Sequence, residues 1–264
     1  MHEVDWRQVA IPGAGMILVA ALSVALCRGL AGSKFRWMWV GAGLWFVAVA
    51  LKLVSAILAN QSIFALLERS LPHFWYVALG SMYVGVSSAV FEIGLTFVAV
   101  MIWRDLGRSA DRAIGIGVGA GAFEAALLGA SSVASAVVLY MGLPGSDEIG
   151  KALQASGVHA SALWLVPIVE RVLAIACHAS SRALVLLGVT HRKPLMILAG
   201  GAIFAYIDSV AGFAHLSGAL TTHSVWWIEL AILPAALVSI PVLRWCSRVF
   251  PLKSPVESTA EGSD

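Results

Sequence analysis

Charge is what this sequence has least of: charged residues make up 12% of its 264 positions, about half the share of an average soluble domain. Hydrophobic residues make up 59%, and mean hydropathy is +0.88. So few polar side chains cannot cover so much apolar surface in water. That excludes a disordered chain, a coiled coil, a nucleic-acid-binding arm and an ordinary soluble globule. Cysteine is scarce too. Cys27, Cys177 and Cys246 each sit in or at the end of an apolar run, fit no zinc spacing and read as small buried hydrophobes. The GxSG, GxGD and HExxH signatures of intramembrane hydrolases are missing. No internal repeat or matched pair of broken helices of the secondary-transporter kind is present. The last apolar run holds no lysine, which removes a retinal Schiff base.

What is present is a series of long apolar runs. About 20 such residues cross a bilayer core, and the runs near 9–27, 37–58, 75–103, 113–141, 162–189, 195–217 and 226–249 predict seven transmembrane helices. The expected fold is therefore all-α, a polytopic helical bundle forming one transmembrane domain over 1–249, with a disordered tail over 250–264. Residues 59–74 read as a short helix along the membrane surface, and 142–161, opening on Gly142, Pro144 and Gly145, as the longest loop. Lysine and arginine sort sharply. The N-terminal side carries three (Arg7, Arg69, Lys151) and the other side eleven, from Arg28 and Lys34 to Arg248 and Lys253. By the positive-inside rule the C-terminus is cytoplasmic and the N-terminus outside.

Ionisable residues at bilayer depth cost free energy and usually face a bundle interior, so each is a candidate for function. Counted from the cytoplasmic end of its own run, Glu92, Glu124 and His178 each lie 11 residues in, and Asp208 lies 13 in. At 1.5 Å per residue that is about 16–20 Å for all four. Three carboxylates and an imidazole at one level on four consecutive spans read as a site. Gly117 and Gly121 share a face with Glu124 and admit a close neighbouring helix. Arg171 and His178 share a face, with Arg182 one turn further on and Glu170 nearby. A buried structural network in which Glu124 and Asp208 neutralise Arg171 and Arg182 is the alternative. Lys52 reads as snorkelling or paired with a carboxylate, and His215 and Glu229 as solvated near the outer interface.

The segments VFEIG (90–94), GIGVGAGAFEAALLG (115–129), ERVLAIACHASSRALVLLGV (170–189) and AIFAYIDSVAGF (202–213) follow one another in an order that resembles the YhfC family of intramembrane metalloproteases, distant relatives of the CAAX-processing and abortive-infection membrane proteases. The resemblance covers roughly 75–215. It implies catalytic roles for Glu92, Glu124, His178 and Asp208, supporting or substrate-binding roles for Glu170, Arg171 and Arg182, and a zinc ion held by His178, Glu124 and Asp208. It also implies a membrane-embedded peptide or protein substrate in a bacterial inner membrane. The sequence departs from the family pattern at four places. Ile93 stands where a second glutamate is usual, Leu95 or Thr96 where an arginine is, and Ala120 and Phe204 where histidines are. His178 is then the one imidazole at this depth, whereas zinc sites commonly take several.

Three functions remain open at this stage. One is a hydrolase in which Glu92 or Glu124 activates water while His178 polarises the carbonyl, or in which a metal supplies the attacking water. Another is a non-catalytic relative that binds membrane partners through the same cavity. The third is a small proton-coupled transporter. Nucleic acid is not an expected partner; the lipid bilayer is.

Overall fold

A computed structural model describes residues 5–155, 163–222 and 224–251, and the tail 252–264 and the segment 156–162 lie outside the described residues. In chain order the α-helices are α1 (Arg7–Ala31), α2 (Phe35–Ser55), α3 (Gln61–Ser70), α4 (His73–Ser88), α5 (Gly94–Ile102), α6 (Ala110–Met141), α7 (Ser146–Ala155), α8 (Val166–Thr190), α9 (Pro194–Leu216), α10 (Ala219–Thr222) and α11 (Trp226–Val249). A π-helical turn, Ala56–Asn60, joins α2 to α3, and another, Ala89–Ile93, joins α4 to α5. With those joins, seven spans among the described residues are long and apolar enough to cross a bilayer: α1, α2–α3, α4–α5, α6, α8, α9 and α11. The molecule is an all-α polytopic bundle.

Two expectations need correcting. Residues 61–70 do not form a separate surface helix; α3 continues α2 through the π turn, and Phe35–Ser70 is one span of 36 residues. The loop after α6 folds in part into α7, whose first turn carries Asp147 and Glu148, acids that favour a helix N-terminus.

The helix α8 is the axis of the bundle. In its most apolar stretch 78% of residues are buried, against 17–33% in the other six spans, and α1, α5, α6, α9 and α11 pack around it. Its sequence demands this place. Arg171, His178 and Arg182, with Ser180 and Ser181, spread polar groups along the helix, and none of these can face acyl chains without loss. Glycine sets how near α6 comes. A Cβ at Gly117 would lie 2.6 Å from the Ala179 Cα and 2.7 Å from the His178 carbonyl oxygen, and one at Gly121 would lie 3.0 Å from the Ile175 Cα. Only glycine permits that approach, and it brings Glu124, one turn on, beside His178.

Candidate functional site

At the level predicted from residue counting, side chains from five spans join in one chain of polar contacts. Lys52 on α2 donates to Glu92 Oε1 at 2.8 Å and to Ser88 Oγ at 3.3 Å. Glu92, on the second π turn, receives Arg182 Nη2 on its other oxygen at 2.9 Å. The second arm of Arg182 meets His178 Nδ1 at 2.7 Å. His178 Nε2 lies 3.1 Å from Glu124 Oε2, which also accepts the Trp45 indole N–H at 2.9 Å. Glu124 Oε1 takes Arg171 at 2.5 Å, and Arg171 reaches Glu170 with its other arm. Asp208 hangs at the opposite end, 3.8 Å from Lys52, beyond direct hydrogen-bond reach. All seven residues singled out from the sequence are in this network, together with Lys52.

Charges alternate along it, with three cations (Lys52, Arg171, Arg182) and four carboxylates (Glu92, Glu124, Glu170, Asp208). The centre is buried: Arg182 is 0% exposed and Glu92 and His178 3% each. Isolated charges could not sit there, but paired and hydrogen-bonded ones can.

The hydrogen-bond roles of the His178 ring follow from its neighbour. A guanidinium N–H only donates, so Nδ1 accepts from Arg182, and Nε2 is left to donate towards Glu124. Neither ring nitrogen has a lone pair left over. A metal at Nε2 would have to strip the proton from a ring whose other nitrogen is already an acceptor. Metal-bound histidines normally use the second nitrogen as a donor to a carboxylate or carbonyl. Glu124 has both oxygens engaged, and Asp208 is tied to the far end. Among the described residues no group of three His, Cys, Asp or Glu side chains is placed to hold a metal ion. The donor set does not fit zinc.

Of the residues that depart from the family pattern, Phe204 packs directly on the network. Phe204 presents its ring to the Arg182 guanidinium at 5.2 Å and to the His178 ring at 5.1 Å, a cation–π seat for a buried arginine. Ala120 is fully buried, its amide nitrogen 3.0 Å from where a Cβ on Gly41 of α2 would fall.

A cavity reaches this network. It has a volume of about 480 Å³ and runs from the α3–α4 end of the bundle between α2, α4 and α9 to a floor of Lys52, Ser88 and Asp208, with Asn60, Tyr83 and His215 on its walls. Lys52 and Asp208 are 30% and 29% exposed in it. Of the four residues expected to form the site, only Asp208 lines this cavity; Glu92, Glu124 and His178 stand behind the Lys52 pair. His215, expected to be solvated, lines the cavity, whereas Glu229 is buried at 5% exposure, with Oε2 lacking a hydrogen bond among the described residues.

Two members of the network escaped the sequence reading. Ser88 left no signal. Trp45 did: tryptophan favours the interface, and one ten residues inside a span needs a partner for its indole N–H.

A family model described as YhfC intramembrane metalloprotease matches residues 15–232, a stretch that takes in the whole network. No curated protein and no solved structure matches the chain.

Proposed function

The chain belongs to the YhfC intramembrane metalloprotease family, and on that premise we propose a member that receives membrane-embedded polypeptide without a resident metal. A peptide stretch enters the cavity that ends at Lys52 and Asp208, and the ion-pair chain behind it is a rigid frame, not a catalytic centre. The observation that carries this reading is the 2.7 Å contact from Arg182 to His178 Nδ1. It turns the one imidazole buried among the described residues into a donor towards Glu124 and puts a permanent guanidinium cation between Glu92 and His178.

A second reading keeps hydrolysis, and one observation favours it. Asp208 and Lys52 face the same cavity 3.8 Å apart, a carboxylate that could take a proton from water beside a cation that could stabilise an oxyanion. Glu92, Glu124 and His178 would then position Lys52 rather than touch substrate. The proton-carrier alternative draws less support. Arg171 and Arg182 interrupt the polar chain, and arginine does not release its proton in proteins.

The test uses a synthetic membrane-spanning peptide in vesicles with the reconstituted protein. A photoreactive residue at position 215 should cross-link the peptide, and one at lipid-facing Leu230, 67% exposed, should not. Equal labelling at both positions contradicts a peptide-binding cavity. If the peptide is also cut, Asp208→Asn should lower turnover about a hundredfold under the second reading. Turnover unaffected by Asp208→Asn rejects that chemistry.

A further inference from the structure

At the opposite end of the bundle from the Lys52–Asp208 cavity, a cavity of about 310 Å³ opens beside the α8–α9 turn, lined by Phe97, Met101, Arg104, Gly188, Val189, Arg192, Lys193, Pro194 and Ile197. Three of these are permanent cations and none is acidic. The nearest acid in sequence, Asp105, already faces Arg108 and Arg112. Arg104 is held in place, donating one N–H to the Val189 carbonyl at 2.9 Å and turning the other arm to Met101 Sδ at 3.8 Å. The turn is built as well. Arg192 has φ +56°, the one non-glycine positive φ among the described residues, a conformation disfavoured for a residue with a Cβ. The Lys193 amide closes the turn on the Gly188 carbonyl at 2.7 Å. The α9 N-terminus starts at Pro194 and adds partial positive charge. On the membrane side the walls are apolar: Phe97, Met101 and Ile197 line the cavity, and Ile102 and Leu195 beside it are 83% and 79% exposed.

Cations at the surface and an apolar wall below match a molecule with a phosphate at one end and acyl chains at the other. We propose that this cavity binds the phosphate headgroup of an anionic phospholipid of the same leaflet. Arg104, Arg192 and Lys193 meet the phosphate, and an acyl chain lies along Phe97 and Ile197. Basic pockets between transmembrane helices recognise headgroups by this chemistry. The assignment is independent of what the mid-bilayer network does.

Native mass spectrometry of the full chain from mixed micelles containing phosphatidylglycerol and phosphatidylcholine tests it. The native protein should retain phosphatidylglycerol in preference to phosphatidylcholine. Arg192→Gln/Lys193→Gln should weaken that retention about thirtyfold, while Arg108→Gln, outside the cavity, should leave it unchanged. An equal loss with Arg108→Gln would mean diffuse surface charge and overturn the site. No preference for the anionic lipid would also overturn it. Thermal stabilisation by inorganic phosphate matching that by phosphatidylglycerol would assign the pocket to free phosphate and reject the lipid.

Discussion

Arg182→Met is the sharpest perturbation available in the network. Methionine keeps most of the length of arginine and fits a buried apolar site, so volume changes little while a fully buried cation disappears. Arg182 donates to Glu92 at 2.9 Å and meets His178 at 2.7 Å, and both partners, themselves buried, are left without it. Breaking a buried ion pair from one side costs about 3–5 kcal/mol. Lys52 stays 2.8 Å from the other Glu92 oxygen, which puts the expected loss near the lower end of that range. For a chain of this size the melting temperature should fall on the order of 10 °C. Thermal unfolding in detergent, followed through the ten tryptophans, reads it directly. The double variant Arg182→Met/Glu92→Gln removes the orphaned charge and should recover a large part of the loss. A single variant that melts like the native protein, or a double variant whose loss is the sum of the two singles, would refute the reasoning.

Trp45→Phe takes the indole N–H from Glu124, trims part of the buried ring system and leaves a phenyl beside Phe123. It should cost at least about 1 kcal/mol in the same melting assay, and no measurable loss would deny that the bond holds Glu124. Gly117→Leu must push α6 off α8 and should destabilise by about 1–3 kcal/mol or more. Gly43→Leu, where a side chain meets nothing within 4 Å, should be tolerated; equal losses at the two positions would contradict the close approach. The three native cysteines are buried, so His215→Cys should be the only site in its variant to react with a membrane-impermeant maleimide, and silence there would mean a closed cavity. The basic-residue asymmetry further predicts that reporters fused at 105–109 and 146–155 lie on opposite sides of the membrane. A shared side would overturn that orientation.

Much of this was legible because a bilayer constrains depth so strongly. The lengths of the apolar runs marked all seven spans, and counting along four of them put Glu92, Glu124, His178 and Asp208 at one level, where they are joined in one network. Depth alone does not give rotation about a helix axis or lateral neighbours. It therefore could not show that Asp208 faces a cavity while Glu124 and His178 stand behind it. Nor could it show that Arg182, read only as support, lies between Glu92 and His178. The central place of α8 was readable and was missed: Arg171, His178 and Arg182 take one face, Ser180 and Ser181 put polar groups round the rest, and little of the helix is left to offer lipid. The helix α7 escaped because its glycine- and proline-containing lead-in has turn chemistry, which masks the short polar helix after it. Glu229 looked solvated by its place near a span end, where neighbouring helices in fact cover it.

The metal content of the purified full-length chain tests the metal-free centre most directly. After incubation with zinc and exchange into metal-free buffer, elemental analysis should find zinc far below one per chain, and a chelator should leave the melting temperature unchanged. One zinc per chain, lost together with thermal stability in Glu124→Gln or His178→Ala, would contradict it.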